Sequence, residues 1–168
     1  MTRAKMLPAG VFIGYGGREG QEIAQDMCQL FRSRGLNAFA VTPEIEDSIP
    51  FLESEERILA YLSQFKVAVM ICTRGAIHSS RFRDETEKLV YDLKIPTVAF
   101  VMRGAPVLNT LQLRTRVHFT KNHHRSAYGN LIRIIRNLQS TNRVDMRSVP
   151  SATVLLSARK ASKPNRHD

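Results

Sequence analysis

A chain of 168 residues, 43% of them hydrophobic, has the length for one ordinary domain with its own core plus a short extension. No apolar run approaches the roughly 20 residues of a membrane span, and the basic start Met-Thr-Arg-Ala-Lys lacks the apolar stretch of a secretory signal. Cys28 and Cys72 stand far apart and read as buried free thiols, so the expected setting is soluble, reducing and cytoplasmic. The net charge of +10 invites a nucleic-acid reading, but residues 140–168 hold six Lys/Arg against two acids and the remaining charge is scattered. With no basic stripe interleaved with aromatics, no specific nucleic-acid site is expected, only a general attraction to anions.

In chain order, strand candidates are Val11–Ile13, Ala38–Val41, Val67–Cys72, Thr97–Met102 and Val117–Phe119, most of them continuous apolar runs of the kind buried on both faces of a sheet. The first strand ends in Gly14-Tyr15-Gly16-Gly17-Arg18-Glu19-Gly20. Such a turn fits either an anion cradle ahead of a helix or a plain tight strand-to-helix turn, and it matches neither G-x-G-x-x-G nor a P-loop. A helix is predicted over about 21–34, with Ile23, Met27, Leu30 and Phe31 inward and Gly35 as its stop. Others are predicted over about 54–63, capped by Ser54, from Phe82 or Arg83 to the Lys94-Ile95-Pro96 exit, and over 126–138.

Strands alternating with helices predict an α/β fold, a flavodoxin-like doubly wound sheet of five parallel strands with helices on both faces. Residues 42–51, acidic and bracketed by Pro43 and Pro50, read as a long functional loop beside the ligand edge. The expected organisation is an N-terminal extension over 1–9, the α/β domain over 10–139, and a basic, partly disordered C-terminal tail over 140–168 in which Ala152–Leu156 could dock.

The first and third strands lack the clustered acids of a phospho-acceptor receiver. Tyr-Gly-Gly-Arg is not the hydroxyl-rich loop of a flavodoxin, and Val41-Thr42 is not the ribose-binding acid of a dehydrogenase. Val-Phe-Ile-Gly-Tyr-Gly-Gly-Arg-Glu-Gly resembles instead the first box of the Toll/interleukin-receptor (TIR) domain family, of the stand-alone prokaryotic type. Residues 42–51 fall where that family has its BB loop. Thr73 to Glu85 is similar to the family's Ser-x-x-aromatic…Ser-x-Trp-x-x-x-Glu segment, and Ile95-Pro96-Thr97-Val98 to its approach to strand four. The resemblance covers roughly residues 8–138. Two departures are plain: Phe82 replaces Trp and precedes Glu85 by three residues rather than four, and the loop lacks a Pro-Gly pair.

The resemblance implies an enzyme that splits NAD+ at the nicotinamide–ribose bond, a glycohydrolase or cyclase of antiviral defence or signalling. NAD+ is its substrate, and no cofactor or metal is needed. Glu85 would be the catalytic acid, although by itself it reads as a solvated first-turn residue favoured by the helix dipole. Tyr15, Gly16, Gly17 and Arg18 would line the opposite wall, with Arg18 toward the pyrophosphate. Ser80 could touch a ribose hydroxyl, and Phe82 the nicotinamide or ribose. Read without the family, Arg18 is a surface residue, Phe82 a core aromatic, and Ser79 and Ser80 helix caps. Homotypic TIR assembly is expected. A non-catalytic interaction module and a nucleoside deoxyribosyltransferase-like enzyme are the alternatives.

Overall fold

Continuous runs of β-branched and aromatic residues are too apolar for any surface, and they close into one parallel sheet. The computed structural model describes residues 10–41 and 54–148, with side chains as far as position 141. Strands β1 (Val11–Gly14), β2 (Ala38–Phe39), β3 (Val67–Cys72), β4 (Thr97–Met102) and β5 (Arg116–Phe119) are all parallel, in the order β2-β1-β3-β4-β5. This is the flavodoxin-like order of a doubly wound sheet. The 42–51 loop and Ala152–Leu156 lie outside the described residues.

Among the described residues, four helices cover the sheet: α1 (Gly17–Ser33), α2 (Glu55–Leu62), α3 (Ser80–Glu87) and α4 (Tyr128–Ser148). Alternation along the strands sorts the core into two layers. Val11, Ile13, Val67, Val69, Val98 and Phe100 pack with Ile23, Met27 and Phe31 of α1 and Leu131 and Ile135 of α4. Phe12, Ala68, Met70, Ala99 and Val101 pack with Leu62 of α2 and Phe82 and Leu89 on the other side. The outermost strand β5 alternates exposed and buried residues instead of reading as a continuous run.

Several boundaries differ from expectation, each for a local reason. Helix α1 starts at Gly17, ahead of the expected Gln21, because only Gly16 stays outside it as the N-cap. Gly17 takes φ +77°, a conformation that side chains rarely adopt. Strand β2 stops at Phe39 rather than Val41, pairing with β1 over two residues. Helix α3 starts at Ser80 because the Ser79 hydroxyl accepts the Phe82 backbone N–H at 3.2 Å. It continues as a π-helical turn over Lys88–Asp92. Helix α4 follows a 3-10 turn at His124–Ala127 and runs to Ser148 rather than ending at Leu138, since no Gly or Pro interrupts 130–149. Ser54 caps α2 as expected, its hydroxyl accepting the Arg57 N–H at 3.3 Å.

Both cysteines are buried free thiols, and burial pushes Cys28 up to about 11 and Cys72 up to about 12. Native protein at pH 8 is therefore expected to resist alkylation over hours, whereas urea-unfolded chain should take up two equivalents of iodoacetamide at once.

Charge pairs tie the helices together. Asp26 of α1 accepts both arms of the Arg125 guanidinium, at 3.0 and 2.5 Å, and the Tyr128 hydroxyl at 3.1 Å, with His124 Nε2 also at 3.1 Å. The Arg125 fork is the main reason its carboxyl lies below the ordinary 3.8, and the His124 and Tyr128 bonds add to it against the opposing effect of burial. A lowered carboxyl stabilises the fold above its unfolded value, and that stability goes as pH falls through the folded one. Asp26→Asn should therefore cost about 1–2 kcal/mol at pH 7. The deficit should shrink below about pH 4, which urea titrations at pH 7 and pH 3 will measure.

On the other face Lys88, 5% exposed, donates to Asp84 at 2.5 Å and lies 3.6 Å from Glu55 at the start of α2. Burial alone would lower its pKa, but the two carboxylates outweigh burial and hold it charged.

Candidate functional site

From β1 the chain steps out to β2 and then returns past β1 to β3, so its direction reverses between β1 and β3. Ligands of open α/β sheets bind beyond the strand ends at such a point. Tyr15 and Gly16 follow β1 there, and Thr73 to Ser79 follow β3.

The glycines determine how closely these two segments meet. A Cβ on Gly16 would lie 2.7 Å from Ser79 Cβ and 3.0 Å from Ala76 Cα, so no side chain fits between the walls. A Cβ on Gly20 would lie 3.1 Å from Tyr15 Cβ and 3.8 Å from Thr73 Oγ1. The Thr73 hydroxyl, 1% exposed, has no hydrogen-bond partner among the described residues. Above this floor opens a cleft of about 520 Å³, lined by Tyr15, Gly16, Gly17, Arg18, Gln21, Ser79 and Arg81.

A chain of contacts leads from the cleft to the carboxylate. The buried Tyr15 ring is anchored by its hydroxyl, which donates to the Val41 carbonyl at 2.5 Å. The Arg81 guanidinium lies over that ring, 5.2 Å from its centroid, in cation–π contact. Arg81 Nε is also 3.5 Å from Glu85 Oε1, one helical turn on. Glu85 is 9% exposed, so it is not the solvated first-turn acid that its position alone suggests. Its charge reaches α2: burial first, and then the Glu85 carboxylate, push the Tyr61 hydroxyl up to about 12.

The expected site residues separate in the structure. Tyr15, Gly16, Gly17 and Arg18 line one cleft. Arg18 reaches into solvent, its side chain 93% exposed and only 3.9 Å from Glu22, an ion pair of little energetic weight. Of the two serines, Ser79 lines the cleft, whereas Ser80 is exposed at the start of α3 and does not. Phe82 is 1% exposed and its side chain belongs to the core beneath, as an aromatic at a helix start commonly does. Arg81 was not anticipated. Nothing in the sequence singles it out beyond its place four residues before Glu85.

No group of three or more His, Cys, Asp or Glu is placed to hold a metal ion among the described residues. No helix among them is long and apolar enough to cross a membrane.

No family model matches the chain, and no curated protein does. A solved structure described as the activated Roq1 resistosome directly recognizing the pathogen effector XopQ (TIR domains) is similar at 12% identity with a TM-score of 0.46. The match covers 56% of this chain and 57% of that one, so the chain spans little more than half the length of that neighbour. The architecture assigned here rests on the strand order and register described above.

Proposed function

We propose that this protein is a TIR-like NAD+ nucleosidase that cleaves the nicotinamide–ribose bond, giving nicotinamide and ADP-ribose or a cyclic ADP-ribose product. The observation that carries the reading is the Glu85 carboxylate, held by Arg81 beside a glycine-walled cleft at the point where the sheet reverses direction. The first-box and Glu-segment resemblances supply the reaction class.

The chemistry asks little of the protein. Nicotinamide departs as a neutral base with the electron pair of the broken C–N bond, so no general acid is required. Positive charge grows at the anomeric carbon, and a fixed carboxylate in a poorly hydrated place stabilises it more than water would. Water then adds to that carbon and releases a proton, or a nitrogen of the adenine adds and closes a ring. In this reading Gly16 and Gly17 let the dinucleotide approach the backbone, and Arg18 pairs with its pyrophosphate. Tyr15 and Arg81 form the wall that orients Glu85.

The test is direct: full-length protein incubated with NAD+ should release nicotinamide, followed by chromatography. A preparation that releases none at high protein concentration is an interaction module. The proposal includes homotypic assembly, with the acidic 42–51 loop meeting basic surface on a neighbour, which can propagate head to tail. Rate per molecule should then rise over a hundredfold range of protein concentration and fall with added salt or on Glu46→Lys. A flat profile would show that the monomer is sufficient.

A further inference from the structure

Helix α1 starts at the cleft and, at 1.5 Å per residue, delivers its far end roughly 25 Å away. There Arg34 ends the helix beside α4, and a second groove of about 300 Å³ opens, lined by Arg34, Gly129, Ile132, Arg133, Arg136 and Asn137. No acidic side chain lines it. Arg136 Nη2 donates to the Arg34 carbonyl at 3.0 Å, which fixes one guanidinium at the groove and leaves most of its N–H groups for other acceptors. Arg34, Arg133 and Arg136 are all exposed.

The run of α4 to Ser148 extends this feature. At 100° per residue, positions 143 and 147, both Arg, fall within about 20° of position 136 around the axis, and position 133 within about 60°. Asp145, the acid within α4, falls half a turn away. Four arginine positions thus share one face over roughly 21 Å of helix, continuous with Arg34.

We propose that this face binds the phosphate backbone of a nucleic-acid duplex, without reading its sequence. Guanidinium forks suit phosphate oxygens, and a row of them suits an array of phosphates better than a single one. No aromatic side chain lines the groove to stack a base or report its identity. A membrane is the poorer fit, since basic amphipathic surfaces that hold lipid carry apolar side chains beside the charge. Neither Tyr91 nor Leu113, the large hydrophobics exposed among the described residues, lines the groove.

The test uses full-length protein, a fluorescent 20-base-pair DNA duplex and anisotropy at several salt concentrations. Each guanidinium withdrawn from a phosphate should lower the log–log salt slope by about 0.9. Arg133→Gln/Arg136→Gln is expected to reduce the slope by about 2 and weaken binding at 0.1 M salt roughly tenfold or more. Arg133→Gln/Arg147→Gln, which keeps the Arg136–Arg34 bond, should do the same with an unchanged melting curve. Neither pair touches a residue that lines the cleft, so duplex binding and nicotinamide release are read as separate measurements. Wild-type affinity and slope in both pairs overturn the assignment. Tighter binding to phosphatidylserine vesicles than to duplex at equal phosphate overturns it as well, in favour of a lipid surface.

Discussion

Glu85→Gln is expected to lower kcat for NAD+ cleavage by about 10²–10³-fold, the cost of removing one preorganised electrostatic partner of a developing charge. The melting temperature should stay within a few degrees. Glutamine keeps the shape of a residue that is 9% exposed, so the surrounding packing survives while the charge facing Arg81 is lost. Alanine would be the less informative replacement, since it also empties buried volume and leaves the Arg81 guanidinium without this carboxylate. Glu87→Gln is the matched control. It is exposed and sits about 200° further round the helix, so its rate should equal that of wild type. Unchanged nicotinamide release from Glu85→Gln would take the catalytic role from this residue.

Phe100→Ala should produce the largest loss of stability, about 3–5 kcal/mol. Phe100 is fully buried on β4. Its ring stacks on Phe119 of β5 with centroids 4.2 Å apart and planes 13° from parallel, and it tilts against Tyr128 of α4 at 5.9 Å. Truncation leaves a gap where two strands and a helix meet, and strands held in register by neighbours on each side have little freedom to close it. Against a typical total of about 5–15 kcal/mol, that loss removes a large share of the fold's margin. Urea titration should show a lower midpoint at an unchanged slope, whereas a cost below about 1 kcal/mol would mean that the neighbours collapse into the space.

The strands β3 and β4 were legible to the residue, because burial on both faces leaves no polar position to blur a boundary. The strands at the two ends of the sheet were less clear. β2 has a single neighbour and β5 exposes every second residue, so neither boundary follows from hydrophobicity alone. Gly17 and Gly20 read as turn although both lie within α1, because glycine's poor helix propensity signals neither the positive φ of Gly17 nor the close approach of Tyr15 to Gly20. The first wall of the cleft was visible in Tyr15 to Arg18. Arg81 was hidden because its partners, a ring 66 positions earlier and an acid four later, signal nothing without the fold. The Asp26 cluster was equally invisible, joining residues about a hundred positions apart.

The two ends of the sheet carry a consequence for solubility. A bare strand edge offers a ladder of unpaired amides and carbonyls on which another chain can grow a cross-β aggregate. At β2 that ladder is two residues long, and the Nε of Arg32 occupies its Ala38 carbonyl at 3.0 Å while the same guanidinium covers the Phe39 ring. At β5 the four residues present Arg116 and His118 outward, and Arg116 donates to the Gln112 carbonyl. Short, arginine-guarded margins are poor templates for a fibril. Association between native copies is thereby steered away from the described strand edges and toward helices and loops.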